Sequence, residues 1–169
     1  LFFFFLPGGR EGYRESANAA PGARTVLVDT PAVRLGLNVC YDLRFPELFR
    51  RLVSEGAEIF SVPSAFTSPT GRAHWETLLR ARAIENLCFV VAAAQSGIHD
   101  SNRETYGDSL VADYWGRVLA REPRGSHVVT AALDRMAFTQ PVYVGQLLTV
   151  MATVNAAWRT SMEIGVRVQ

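Results

Sequence analysis

The run LGLNVCYDLRFPELFRRL, Leu35–Leu52, carries an apolar, strand-like stretch onto a cysteine and starts a helix directly after it. A thiol does chemistry when it is exposed, held in one direction and placed near a base or a positive field. A sharp strand-to-helix turn supplies the first two. The backbone N–H groups that follow such a turn can help hold an oxyanion. Cys40 has that setting, with Pro46 opening the helix behind it. On residue types alone a buried structural thiol remains an open alternative, and so does a Cys40–His74 dyad. Cys88 lies inside the apolar run CFVVAAA and reads as inert. His74, His99 and His127 are far apart with no ligand spacing, so no metal is expected. All 17 basic residues are arginine, so no lysine in these residues can stabilise an oxyanion.

The elements that must position Cys40 follow from pattern. TVLVD (25–29) and RLGLNV (34–39) read as strands around a Pro31 turn. Pro46 suits the first turn of a helix, with Glu47 beside its positive end. Leu48, Phe49, Leu52 and Val53 form one apolar face, and Gly56 ends the helix. AEIFSVP (57–63) reads as a buried strand and SAFTSPTG (64–71) as a loop. The spacing predicts a second helix over 74–86, with Trp75, Leu78, Leu79 and Ala83 inward. CFVVAAA (88–94) is a run of the buried-strand kind. A polar loop to Gly107 follows, then a strand, a turn and a strand in SLVAD, YWGR and VLARE. This order is an α/β pattern. After Pro123 the texture changes. HVVTAAL reads as a strand, and QLLTVMATVN (146–155) and TSMEIGVRV (160–168) alternate with period two. A module boundary is expected near Pro123–Ser126.

The apolar fraction is 49%, the charged fraction 20% and the net charge +1, a soluble globular composition. Near-neutral charge offers nothing to nucleic acid or an anionic membrane. Two cysteines in these contexts suit free thiols and a cytoplasmic protein. Residues 10–22 read as loop. The opening LFFFFLPGG has six apolar residues, too few to span a bilayer, and no basic stretch precedes them as in a signal peptide. It reads as a strand or as an exposed start left by an incomplete reading frame.

CYDLRFPE (40–47) resembles the nucleophile motif of the nitrilase superfamily, in its Nit branch of amidases. The blocks 7–22, 63–97 and 106–122 continue the likeness in family order. The resemblance implies a partial α-β-β-α sandwich over residues 1–122 and a carbon–nitrogen hydrolase with a Glu–Lys–Cys set. In that chemistry the thiolate attacks an amide carbonyl, ammonia leaves and water cleaves the thioester. The substrates it implies are small ω-amides or deaminated glutathione, and it implies no cofactor. By the match Cys40 is the nucleophile and Glu15 an additional active-site glutamate. Tyr41, Ser64, Ala65, Phe66 and Trp75 fall at substrate-pocket or pocket-wall positions. The family's general-base glutamate and its lysine fall before residue 1, so impaired catalysis is expected. Arg44 and Glu47 are expected in ion pairs around the turn, and Arg80, Arg82 and Glu85 in a network on their helix.

Residues 127–168 resemble a different family, the hotdog-fold acyl-CoA thioesterases, carried by VTAALDRMAFTQPVYVGQ and RTSMEIGVRV. This implies antiparallel hotdog-type strands over about 126–169. It also implies CoA contacts from Arg159, Thr160 and Ser161, acyl-CoA as an alternative partner, and homo-oligomers formed edge to edge. The expectation is therefore an α/β chain whose leading function is amide hydrolysis. An acyl-CoA module and a non-catalytic chimera are the alternatives.

Overall fold

The computed structural model describes residues 20, 22–99, 102–125 and 127–133, together with the backbone of four strands, Phe3–Phe5, Gly12–Arg14, Val150–Ala157 and Met162–Val168. In chain order the strands are β1 (Phe3–Phe5), β2 (Gly12–Arg14), β3 (Val26–Asp29), β4 (Arg34–Leu37), β5 (Ile59–Ser61), β6 (Phe89–Ala92), β7 (Ser96–Ile98), β8 (Glu104–Tyr106), β9 (Ser109–Ala112), β10 (Val118–Glu122), β11 (Val150–Ala157) and β12 (Met162–Val168). The helices are α1 (Pro46–Ser54) and α2 (Ser68–Asn86), and a short 3₁₀ turn covers Cys40–Arg44.

Six strands make one sheet in the order β10-β9-β6-β5-β4-β3. Its centre, β4, β5 and β6, is parallel, and β3, β9 and β10 add antiparallel strands at the two sides. The parallel strands β5 and β6 are buried along their whole length, as strands covered on both faces must be. Crossovers through α1 and α2 join the three parallel strands. Both helices pack on one face. Phe49 and Leu52 of α1, with Trp75, Leu79 and Ala83 of α2, share a core with Phe60, Val62, Val90, Ala92, Leu110 and Ala112. Pro46 begins α1 where its missing N–H costs nothing. Gly56, at φ +101°, takes the left-handed position that closes the helix.

The middle of α2 is stapled to the sheet. Trp75 Nε1 donates to the Asp108 carbonyl (2.7 Å), and Arg121 Nε and Nη2 donate to the two Asp108 carboxylate oxygens (2.6 and 2.8 Å). Arg121 Nη2 also reaches Glu76 at 2.8 Å.

Four expectations change. Helix α2 starts at Ser68, not near His74, because Pro69 and Thr70 occupy a first turn where proline is tolerated and Thr67 and Thr70 bond side chain to side chain (2.8 Å). The stretch read as a polar loop before Gly107 contains the antiparallel hairpin β7–β8. Residues 12–14, read as loop, form β2 and pair with β1, Phe3 opposite Arg14. Residues 127–133, read as a strand, pair with none. Val129, Ala131 and Leu133 instead pack on the second sheet face, against a cluster of Leu35, Ile59, Phe89, Val91 and Val111.

Strands β11 and β12 pair antiparallel, from Val150 opposite Val168 to Ala157 opposite Met162. That pairing is common to any antiparallel hairpin. The fold is a mixed α/β architecture, and hotdog-type strands are not demonstrated by this pair.

Candidate active site

Cys40 ends the extended run after β4 and begins the 3₁₀ turn. Its φ is +49°, the left-handed region that non-glycine residues rarely enter. The turn is closed from within: the Val39 N–H donates to Asp42 Oδ2 (2.9 Å) and the Asp42 N–H to the Val39 carbonyl (3.0 Å). It is anchored from below by Arg82. The Arg82 Nε donates to the Leu43 carbonyl (3.0 Å), its guanidinium lies 5.5 Å from the centre of the Phe49 ring, and Nη1 pairs with Glu85 (2.9 Å). An arginine expected in a network on its own helix is thus also a buried tether for the cysteine turn.

The Cys40 N–H donates to the Pro63 carbonyl at 2.8 Å, which joins the turn to the segment leaving β5. Of the amides that an oxyanion would call on, those of Cys40 and Asp42 are therefore already engaged. Ser64 bonds onward to the segment leaving β6. Its N–H donates to the Ala93 carbonyl (2.8 Å), and its carbonyl accepts from Gln95 (2.9 Å). Cys40, Ser64 and Gln95 thus stand at the carboxyl ends of three adjacent parallel strands, where open α/β sheets bind ligands.

The expected pocket residues divide by exposure. Tyr41 and Ala65 are half-buried. Ser64 is fully buried, its hydroxyl on the Val62 carbonyl (3.3 Å). Phe66 and Trp75 are buried, their rings tilted at 58° with centroids 5.0 Å apart, Trp75 lying in the helix-side core. Glu15, Arg159, Thr160 and Ser161 lie outside the described residues.

Arg44 binds the turn to this wall. Its guanidinium carbon lies 5.3 Å from the Tyr41 ring centre and 5.4 Å from that of Phe66, within cation–π reach of both. Its Nη2 lies 3.2 Å from His74 Nδ1. A guanidinium only donates, so Nδ1 accepts and the proton of a neutral ring sits on Nε2. His74 then has no basic nitrogen to offer Cys40, which argues against the Cys–His dyad. Glu47 is exposed at the start of α1. Sequence reasoning missed the Arg44 double stack, because Phe66 arrives from a different strand end.

The second thiol has a different character. Neither Cys40 nor Cys88 is in a disulfide. Cys88 is buried and its Sγ–H lies 3.3 Å from the Asn86 carbonyl. Burial, with help from Glu58 and against Arg50, pushes this thiol up from an ordinary 9.0 to about 12. Groups of metal-ligating side chains are absent among the described residues, and no helix there is long and apolar enough to cross a membrane.

The carbon–nitrogen hydrolase family profile matches residues 5–140. The chain belongs to the carbon–nitrogen hydrolase family. The match crosses Pro123–Ser126, where the sequence texture changes. This carbon–nitrogen hydrolase chain is 56% identical over 111 residues to the deaminated glutathione amidase of Yersinia enterocolitica, covering 66% of this chain and 39% of that protein. The crystal structure of the Caenorhabditis elegans NitFhit protein superposes with a TM-score of 0.66 at 52% identity, over 73% of this chain and 30% of that one. A glutamate-to-glutamine mutant of the amidase from Nesterenkonia sp. AN1 superposes at 0.58 and 31% identity, over 64% of this chain and 41% of that one. It shows covalent addition of the acetamide moiety of fluoroacetamide at the active site cysteine. The carbon–nitrogen hydrolase chain therefore spans well under half the length of the relatives it matches.

Proposed function

We propose that this chain is the thiol-bearing part of an amidase that hydrolyses a small ω-amide of the deaminated-glutathione kind through a thioester on Cys40. The observation that carries the reading is the turn itself. A cysteine at φ +49°, with its N–H held on Pro63, stands where the parallel strands end. A conformation that costs energy persists when the surroundings over-determine it, and such sites cluster where chemistry is done.

In this reading the Cys40 sulfur attacks the amide carbonyl carbon. The C–S bond forms, the C–N bond breaks, and the nitrogen leaves as ammonia after taking up the thiol proton. Water then attacks the thioester, releasing the carboxylic acid and restoring the thiol. Tyr41, Ala65 and Phe66 flank the amide, with Ser64 and Trp75 setting the wall behind them. By the family resemblance Glu15 falls at the position of a glutamate that supports the water and the family's lysine. The family resemblance calls for a lysine beside the thiol, and these 169 residues contain none. A catalytic unit that lacks members typically loses several orders of magnitude in rate. Displacing fluoride from fluoroacetamide asks less of the site, since the Nesterenkonia amidase cysteine is modified with a glutamate replaced.

The test is fluoroacetamide labelling of the 169-residue chain, read by peptide mass. One acetamide adduct is expected at Cys40 and none at Cys88, whose thiol stays protonated and buried. Ammonia release from an ω-amide should remain orders of magnitude below that of the Yersinia amidase assayed beside it. A chain whose Cys40 takes iodoacetamide readily but never fluoroacetamide would end the amidase reading.

A further inference from the structure

The segment that walls the candidate site, Ser64–Thr67, is held between two neighbours. On one side stands the Cys40 turn, through Pro63 and through Arg44 on Phe66. On the other stands the hairpin β7–β8. Three ties cross to it: Arg103 Nη2 donates to the Ala65 carbonyl (3.0 Å), the Tyr106 N–H donates to the Phe66 carbonyl (2.9 Å), and Thr67 and Thr105 form an antiparallel bridge. The hairpin is itself stiffened where His99 Nε2 meets Thr105 Oγ1 at 2.7 Å. Two of the ties are backbone and survive substitution. Arg103 alone works through its side chain.

We propose that Arg103 is a positioning residue for the amidase site: from β7–β8 it fixes the Ala65–Phe66 peptide, and through Phe66 and Arg44 the placement of an amide beside Cys40. The inference rests on the amidase reading above. Its physical basis is that bound geometry within a fraction of an ångström decides rate, so a displaced wall slows reactions that need a seated amide. It leaves alone reactions that need only an accessible sulfur.

Two electrophiles separate these cases. In both, the Cys40 sulfur displaces a halide from carbon, the S–C bond forms, the halide leaves and the thiol proton goes to water. Iodide departs readily from iodoacetamide with no help from a site. Fluoride departs poorly, so fluoroacetamide reports on seating. The ratio of the two Cys40 labelling rates is measured in the intact 169-residue chain and in Arg103→Met, Arg103→Lys and Arg124→Met. Arg124 also reaches the hairpin, at Glu104, but does not touch the wall.

Arg103→Met should lower the fluoroacetamide-to-iodoacetamide ratio about ten-fold with an unchanged melt, the scale of losing one charge-assisted hydrogen bond. Arg103→Lys should recover part of that loss, and Arg124→Met should match the parent. An unchanged ratio in Arg103→Met, or an equal fall in both rates, overturns the positioning role and leaves the amidase reading standing. If Arg103→Met does not melt cooperatively, Arg103→Lys decides: a lowered ratio supports the role and an unchanged ratio overturns it. A parent chain that takes iodoacetamide but not fluoroacetamide at Cys40 overturns the amidase reading and, with it, this one.

Discussion

Cys40 is held where an L side chain crowds the carbonyl that follows it, at φ +49°. Glycine has no such conflict, while alanine keeps it and removes only the sulfur. Cys40→Gly should therefore be more stable than Cys40→Ala by about 1 kcal/mol, read as a higher urea midpoint at equal slope. That order reverses the usual one, in which glycine loses to alanine through the entropy of its unfolded chain. Equal midpoints would mean that the turn stores no strain. The position of the thiol was readable in the sequence, since an apolar run before it and Pro46 after it allow little but a sharp turn. The supports of the thiol were not. That Arg44 lies over the Tyr41 and Phe66 rings, and that Arg82, paired with Glu85 on its own helix, also reaches the Leu43 carbonyl, has no local signal in the sequence. Both depend on chain segments distant in sequence, and no local pattern encodes their approach.

At the scale of elements, the alternation of parallel strands and helices from β4 to β6 was legible, because buried strands and amphipathic helices carry distinct periods. Starts and hairpins were less so. Ser68–Gly71 looks like a loop from its proline and glycine, yet it is the first turn of α2. Gly71 is there for proximity. A Cβ at this position would run into Cβ and Cγ of Tyr106, and Tyr106 cannot retreat while its N–H is bonded to the Phe66 carbonyl. Gly71→Ala sets two effects against each other. Helix propensity favours alanine by about 1 kcal/mol, whereas overpacking a filled site costs about 1–3 kcal/mol. The clash should win, so Gly71→Ala is expected to lower stability by about 1–2 kcal/mol in a denaturant titration. A stabilised variant would show that α2 and β8 are not in close contact. The hairpin β7–β8 was read as loop for a similar reason. Its glycine and polar residues hide a short ladder whose purpose lies in what it touches, the wall beside Cys40.

For the molecule as a whole, a sheet with a parallel centre needs cover on both faces. Helices α1 and α2 cover one. On the other, Leu35, Ile59, Phe89, Val91 and Val111 meet residues 127–133, which pair with no strand among the described residues but present Val129, Ala131 and Leu133 to that face. HVVTAAL reads as a strand, and in the structure its burial alternates, with Val129, Ala131 and Leu133 less exposed than Val128, Thr130 and Ala132. Burial of alternate side chains against a sheet face needs no ladder of hydrogen bonds. Between a packed cover and a solvated connector, paired substitutions choose. Leu133→Asp places a charge against the apolar cluster and should lower stability by about 1–3 kcal/mol. Ala132→Asp, one residue earlier and exposed, should stay within about 0.5 kcal/mol of the parent. Because the cluster includes residues of β4, β5 and β6, whose ends carry Cys40, Ser64 and Gln95, Leu133→Asp should also slow fluoroacetamide labelling of Cys40. Two variants with the same urea midpoint would show that residues 127–133 do not cover the sheet, and the second face would then need another occupant.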